Sequence, residues 1–205
     1  MSMLILVGIL IWTYAVLLTE GHTDALHFGF DEGPDWHEDP FDAESNIDID
    51  SVFDSVSSSS ASLVNMSPNN WVSGKRYTAL SFSSTEDQFV NVGINLATQM
   101  GSSSSLSVWI KTSTIGGISP DAGITGSKNG IVWGCIDSSG CICLSVHSVV
   151  IVTSTSPIND DEWHHVGFTR DSDTGLAVVY VDGQLEGASY GPVGMITEGI
   201  YTLYT

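Results

Sequence analysis

The chain has 205 residues and carries 24 Asp and Glu against five Lys and Arg, which gives a formal net charge of −19. This length predicts one domain, or two at most. So few basic side chains argue against binding to nucleic acid or to anionic membrane surfaces, because both depend on Lys and Arg. Hydrophobic residues make up 42% of the chain, enough for a folded core, which argues against disorder throughout.

The N-terminal segment Met3–Leu18 is an apolar run, which predicts a helix. This helix is either a cleaved secretory signal peptide or an uncleaved membrane anchor, with a buried core helix the least favoured alternative. Thr23-Asp24-Ala25 offers a small-residue cleavage site, whereas the lack of Lys and Arg before the run weakens the signal-peptide interpretation. We therefore divide the chain into residues 1–25, the leader or anchor, and residues 26–205, a domain secreted or displayed outside the membrane.

The first part of that domain, residues 26–60, is rich in acidic residues and Ser. Half of all the carboxylates fall between Glu20 and Asp54, with no Lys or Arg among them. Mutual repulsion opposes compaction of such a stretch, so we predict that it is partly loop. It could also gather divalent cations.

From Ala79 onward the chain changes to short runs rich in Val, Ile, Thr and aromatic residues, separated by Gly, Ser, Asp or Asn. Runs of this length and composition predict β-strands, and many strands at regular spacing predict an all-β sandwich or barrel. The predicted strands are Ala79–Phe82, Phe89–Val92, Leu106–Lys111, Ile131–Cys135, Cys141–Val146, Val149–Thr153, Trp163–Thr169, Leu176–Val181 and Ile200–Leu203.

The three cysteines flank a turn signal, Asp137-Ser138-Ser139-Gly140. Cys135 therefore faces Cys141 and Cys143 across a predicted hairpin, and the latter two share one face of their strand. A disulfide from Cys135 to Cys143, or to Cys141, is possible in an oxidising compartment and leaves one thiol over. The alternative is three small buried hydrophobic residues.

A series of short motifs occurs in a fixed order along the chain: Phe28-Gly29-Phe30-Asp31-Glu32-Gly33, Trp71-Val72-Ser73-Gly74-Lys75, Ala79-Leu80-Ser81-Phe82, Asp87-Gln88-Phe89-Val90-Asn91-Val92, Leu106-Ser107-Val108-Trp109-Ile110-Lys111, Asp161-Glu162-Trp163-His164-His165-Val166 and Val179-Tyr180-Val181-Asp182-Gly183. This series resembles the laminin-G-like, pentraxin-like branch of the concanavalin-A-like lectin/glucanase superfamily. The resemblance implies a jelly-roll sandwich of two antiparallel sheets, often with a structural calcium ion. It also implies frequent roles in glycan binding or adhesion outside the cell.

Calcium prefers six to eight oxygen ligands, which loops at the ends of a sandwich can supply. The candidate Ca²⁺ donors are acidic residues in predicted loops and turns: Asp31, Glu32, Glu86, Asp87, Asp171 and Asp173. Turn chemistry alone also explains Asp171 and Asp173, since Asp side chains hydrogen-bond their own backbone there.

Exposed aromatic rings can stack on the faces of sugars. The loop or strand-edge aromatics that could do so are Trp36, Trp71, Trp133 and Tyr190, although packing in the core is the commoner role of such residues. By contrast, we expect Trp109 and Trp163 to lie between the two sheets. His164 and His165 are adjacent in a predicted strand, so they point to opposite faces and cannot share one site.

Jelly-roll glycoside hydrolases place two carboxylates on one strand face, as nucleophile and acid. No predicted strand carries such a pair, which disfavours an enzyme.

The leading hypothesis is a non-catalytic extracellular module that binds glycan or an extracellular protein. The alternative is a structural subunit of an external filament, coat or virion. If Ile200–Tyr204 does not close its sheet, the open edge could add a strand from a neighbouring chain.

Overall fold

A computed structural model describes residues 7–12, 51–53, 60–91, 100–114, 123–126, 129–197 and 202–204. Strands dominate these residues, which confirms the predicted all-β class. The strands are β1 (Val7–Trp12), β2 (Ser51–Phe53), β3 (Ser60–Val64), β4 (Trp71–Ser73), β5 (Thr78–Ser83), β6 (Phe89–Asn91), β7 (Ser104–Thr112), β8 (Thr125–Gly126), β9 (Ile131–Ile136), β10 (Cys141–Val146), β11 (Val149–Pro157), β12 (Trp163–Arg170), β13 (Leu176–Val181), β14 (Gln184–Tyr190) and β15 (Thr202–Tyr204). Two single-turn 3-10 helices, Pro68–Asn70 and Ser84–Glu86, lie among them.

The strands form two antiparallel sheets. The seven-stranded sheet has the order β14-β13-β12-β7-β1-β5-β4, and the eight-stranded sheet has the order β11-β10-β9-β8-β15-β6-β3-β2. One cluster of buried side chains draws on both sheets, and the rings of Trp133 and Phe168 meet edge to face across it at 6.3 Å between centroids. The architecture is a two-sheet sandwich, as predicted.

Alternation along each strand decides which side chains enter the core. In β7 the side chains of Leu106, Val108 and Ile110 are buried, whereas the intervening ones are partly exposed. The same period of two appears in β12 and β13. The strands β9 and β10 differ, because every residue of both is buried. The seven-stranded sheet thus has one face in the core and one face accessible at β7, β12 and β13.

The apolar N-terminal segment does not form the predicted helix over Val7–Trp12. These residues are β1, which lies between β5 and β7 and pairs antiparallel with both. A continuous apolar run gives the same sequence signal whether it forms a helix or a central strand, so periodicity could not separate the two. The rest of the predicted leader lies outside the described residues. Within the described residues, no helix has the length and apolar character needed to cross a membrane.

The C-terminal segment lies inside a sheet. Thr202–Tyr204 pairs with β6 on one side and with β8 on the other. The alternative in which Ile200–Tyr204 leaves an open edge is therefore wrong for these three residues, because both of their edges have a partner strand.

A disulfide joins Cys135 to Cys143 across the β9–β10 hairpin, with a Cα–Cα distance of 4.8 Å. Cys141 is a buried free thiol. Burial and the nearby Asp137 raise the pKa of Cys141, because both disfavour a thiolate, so this thiol is a weak nucleophile.

Removing the disulfide should lower the free energy of unfolding of the domain. For a ring of this size, loop-closure entropy predicts a loss of about 2–3 kcal/mol in the variant C135A/C143A. Urea unfolding at equilibrium measures the loss, and C141A is the matched control because it removes a buried cysteine outside the bridge. Equal stability of wild type and C135A/C143A would show that the cross-link contributes nothing.

Candidate functional site

The accessible face of the seven-stranded sheet carries a group of half-buried aromatic and polar side chains. Cross-strand register places Trp109 of β7 opposite His165 of β12, and Ser107 opposite Gly167. Gly167 in turn lies opposite Tyr180 of β13. These residues alternate with buried neighbours, so they share the face that points away from the core. We call these five residues, Ser107, Trp109, His165, Gly167 and Tyr180, the aromatic face.

Contacts within the aromatic face hold its rings in place. The rings of Trp109 and His165 lie 5.3 Å apart between centroids at an interplanar angle of 54°. The Ser107 hydroxyl and His165 Nε2 are hydrogen-bonded at 2.8 Å. The Lys75 ammonium lies 5.1 Å from the Trp109 ring centroid, within the range of a cation–π contact. A fixed ring with polar groups beside it is the usual make-up of a binding site for an amphipathic ligand.

Gly167 lies between Ser107 and Tyr180 on the aromatic face. A Cβ atom at this position would meet the Tyr180 Cβ at 3.7 Å, an ordinary van der Waals contact, so the backbone does not require glycine here. A larger side chain at this position would project onto the aromatic face beside Tyr180.

His165 is held neutral at physiological pH. Burial lowers its pKa, and the negative charge of Asp182 only partly opposes this effect. A neutral imidazole beside a hydroxyl offers both a hydrogen-bond donor and an acceptor. The aromatic face therefore presents polar groups without a fixed charge on His165.

The neighbouring His164, whose side chain points to the opposite side of β12, is clamped between two carboxylates. Its Nδ1 lies 2.8 Å from Asp182 Oδ2, and its Nε2 lies 3.0 Å from Asp160 Oδ1. Asp182 also accepts a hydrogen bond from the backbone N–H of His165. Burial acts to lower the pKa of His164, but the hydrogen bonds to Asp182 and Asp160 outweigh it and raise the pKa above its usual value. Asp182 is thus more than the turn residue that the Asp-Gly pattern predicts, although it has the positive φ of 50° expected for such a turn.

The carboxylate clamp predicts a pH-dependent contribution to stability. A raised folded-state pKa means that His164 stabilises the fold fully below its unfolded pKa of about 6.5, and that this contribution is lost as pH rises through the folded value. For a partly exposed pair we expect less than about 1 kcal/mol. The lowered pKa of His165 acts with the opposite sign, so the test is the difference in unfolding free energy between wild type and H164Q.

That difference should shrink between about pH 6 and pH 8, as measured by urea unfolding at each pH. H147Q is the control, since His147 lies in the exposed β10–β11 turn. A difference that stays constant across this range would contradict the assignment.

The structure reverses the sequence-based assignment of the tryptophans. Trp133 is 0% exposed and Trp71 is 3% exposed, so neither ring can stack on a ligand, and both predictions are wrong. Trp109 and Trp163, expected between the sheets, lie half-buried on the outer face because their strands place Val108 and Val166 inward. Tyr190 is 73% exposed, as a ligand-binding ring requires. Trp36 lies outside the described residues.

The four calcium candidates that the structure describes, Glu86, Asp87, Asp171 and Asp173, do not form one metal site. Asp171 Oδ1 accepts hydrogen bonds from the backbone N–H groups of Asp173 and Thr174. These bonds lower the pKa of Asp171 and occupy that oxygen in its own turn. Glu86 accepts a hydrogen bond from Gln88. No group of three or more His, Cys, Asp or Glu able to hold a metal exists in the part of the chain that the structure describes.

The remaining candidate donors, Asp31 and Glu32, lie outside the described residues. Calcium binding by Asp31, Glu32, Glu86, Asp87, Asp171 and Asp173 therefore stays a prediction from the sequence.

One carboxylate lies within a described strand, and its contacts are structural. Glu186 of β14 accepts hydrogen bonds from the backbone N–H groups of Thr155 and Ser156 of β11, at 3.0 and 2.7 Å. Burial opposes its ionisation, but these bonds outweigh burial and lower its pKa. Glu186 thus joins the edges of the two sheets, whereas hydrolysis of a glycoside needs a second carboxylate facing the first.

Two packed antiparallel sheets with an accessible outer face define a lectin-like β-sandwich. The laminin-G profile of the concanavalin A-like lectin/glucanases superfamily matches residues 84–203, which is more than half of the chain. The chain belongs to this superfamily, as its motif series predicted. Comparison with curated proteins finds no match. Laminin-G-like domains are generally non-catalytic binding modules, often for glycan or protein.

Proposed function

We propose that the protein is a non-catalytic recognition module, secreted or displayed on a surface, that binds a neutral glycan on the aromatic face. The observation that carries this proposal is the juxtaposition of the Trp109 ring, the His165–Ser107 pair and Gly167, which has no side chain, on one accessible face. The disulfide between Cys135 and Cys143 supports an oxidising, extracellular location, because such bonds are rare in reducing compartments.

The chemistry of the aromatic face suits a saccharide. The C–H face of a sugar ring is apolar and stacks on an aromatic ring, while its hydroxyl groups need nearby donors and acceptors. Trp109 supplies a ring, and Ser107 with neutral His165 supplies polar groups beside it. Tyr180 offers a second ring on the far side of Gly167.

Charge selects among glycans. The formal net charge of −19 repels polyanionic chains such as sulfated glycans, and few cations are present to offset it. Lys75 and Lys111 lie near the site, but Lys75 is placed over Trp109 and Lys111 lies 3.8 Å from Asp161. A neutral saccharide avoids this repulsion, so we infer that class of ligand.

The sharpest test adds a side chain at Gly167 without harming the fold. The variant G167V should lose binding to any glycan that the wild type captures on an array, because its side chain projects onto the aromatic face between Ser107 and Tyr180. Its free energy of unfolding should rise by about 0.5–1 kcal/mol, since glycine is unfavourable within a strand. Isothermal titration with the captured glycan and urea unfolding measure the two effects separately.

The matched control is T169V, on the same face of β12 but two residues, about 7 Å, further along the strand than Gly167. It should bind as the wild type does. Unchanged affinity in folded G167V would exclude the aromatic face, and binding confined to sulfated glycans would exclude the neutral class. Capture of a protein but no glycan would assign the domain to protein recognition instead.

A subunit of an external assembly is the second candidate. Five side chains at the edge formed by β11, β14 and the segment after it are apolar and well exposed: Val149, Val150, Tyr190, Val193 and Met195. Exposed apolar groups near one another are typical of surfaces that bind other proteins. Light scattering at rising concentration distinguishes the candidates, because an assembly subunit forms ordered multimers whereas a glycan-binding module need not.

A further inference from the structure

The seven-stranded sheet depends on a strand from a distant part of the chain. The strand β1 lies between β5 and β7 and connects two parts of that sheet. On one side β7, β12, β13 and β14 pair in series, and on the other side β5 pairs with β4. Leu10 is in register with Ser81 on one side and with Lys111 on the other. Without β1, the facing edges of β5 and β7 would have unpaired backbone groups, which are a template for another strand. We call the space between β5 and β7 the slot.

Many sequences could occupy the slot, because it requires only an extended backbone and apolar side chains at some positions. Backbone hydrogen bonds to both neighbours are available to any extended segment. The positions in register with the buried Leu80, Phe82 and Ile110 favour apolar residues, because those side chains belong to the core. The suitable occupant is an uncharged, extended segment with apolar residues at alternate positions.

Every copy of the chain carries such a segment on a long connection. Between Trp12 and Ser51 lie 38 residues, eleven of them Asp or Glu and none Lys or Arg. Fully extended, 38 residues reach roughly 130 Å, far more than a domain of this size spans. Because the effective concentration of a tethered segment falls as its connection lengthens, so long a connection favours a chain's own β1 over that of a neighbour by less than a short one would.

We propose that the slot is a strand-accepting site and that the segment Val7–Trp12 of a second copy fills it. A tethered strand has an effective concentration of about millimolar, so exchange between copies becomes significant when copies are concentrated to that level or crowded together. The acidic connections of two copies repel each other, so added salt favours the exchanged dimer. This strand exchange would add a strand inside the seven-stranded sheet, between β5 and β7.

Exchange between full-length chains tests the proposal directly. Chains with natural isotopes and chains labelled with ¹⁵N are mixed at about 1 mM, near the effective concentration of the tethered strand, and native mass spectrometry follows them over time. We expect a dimer with one chain of each kind, in an amount that rises with salt. The variant L10P should lose this dimer, since proline removes a backbone donor in a central strand. T19P, with a proline outside β1, should retain it.

Each result decides for or against strand exchange. A wild type that forms no dimer at this concentration, or an L10P dimer as abundant as the wild-type one, would overturn it. Should L10P not fold alone, the readout is complementation: a peptide of residues 5–14 is added during refolding of full-length L10P. Recovery of the near-ultraviolet circular dichroism signal supports the slot as a strand acceptor, whereas no recovery refutes it. The same peptide with proline at Leu10 is the control.

Discussion

Replacing Arg170 with Met is expected to lower the free energy of unfolding by about 2–4 kcal/mol, because the buried and partly buried carbonyls that lose their donor cost about 1–3 kcal/mol each at most, and the apolar replacement offsets part of the loss. Arg170 is the last residue of β12 and is only 3% exposed. Its inward position follows from the alternation that also buries Val166 and Phe168.

The guanidinium of Arg170 binds two separate segments of backbone. One of its nitrogens donates to the carbonyl oxygens of Gly101 and Ser102, and another donates to those of Pro192 and Gly194, both at 2.9 Å. Arg170 thus fastens the segment after β14 to the turn that precedes β7. This rigid fork suits four acceptors better than an ammonium group does.

Two variants make the Arg170 experiment specific. R170K should recover only part of the lost stability, because Lys presents one nitrogen where Arg presents a planar fork. R76M removes the same charge from an exposed turn and should change the free energy by less than about 0.5 kcal/mol. Urea unfolding of all three variants provides the comparison. An R170M variant as stable as R76M would show that these carbonyl contacts contribute nothing to the fold.

Most strands of the sandwich could be predicted because their side chains alternate. The runs around Val108, Val166 and Val179 show period-two patterns, and each is a strand with those residues buried. The strands β2, β3, β4, β8 and β14 were not predicted. The first four have two to five residues, which give too little pattern, and β14 shows no clear alternation of apolar and polar residues. Their place depends on pairing with distant strands, which local sequence does not encode.

The alternation of side chains along β7 also predicts that Trp109 lies on the outer face. Trp109 shares its parity with Ser107 and Lys111, so the strand pattern alone puts it on the outer face. The expectation that it lies between the sheets followed from its size instead. Trp133 belongs to a run without alternation, and burial of every residue in β9 is the usual meaning of such a run.

The grouping of Ser107, Gly167 and Tyr180 could not be predicted from one strand. These residues meet because β7, β12 and β13 align them in a row across three strands. Cross-strand register depends on the whole sheet, and a shift of one residue would move Gly167 to the core face. The residue types alone therefore gave no reason to predict Gly167 or Tyr180 as binding-site residues.

Replacing Trp133 with Ala should cost about 3–5 kcal/mol of unfolding free energy, the range for removing a large aromatic side chain from a core. Trp133 is fully buried and packs edge to face on Phe168, so its loss leaves a cavity between the two sheets. The effect should appear as unfolding at lower urea concentration, while the affinity of the folded fraction for its ligand stays unchanged. A loss of affinity without a loss of stability would restore Trp133 as a binding residue.

The variant W133F distinguishes the contribution of ring packing to the free energy of unfolding from that of the indole N–H group. Trp133 Nε1 is buried and has no hydrogen-bond acceptor among the described residues, so the indole N–H has lost its hydration without compensation. Phe keeps a ring against Phe168 and removes that donor, and the relief, about 1–3 kcal/mol for an unsatisfied polar group, offsets much of the lost volume. W133F should therefore be less than about half as costly as W133A. Equal costs for the two variants would mean that the indole donor has a partner in solution.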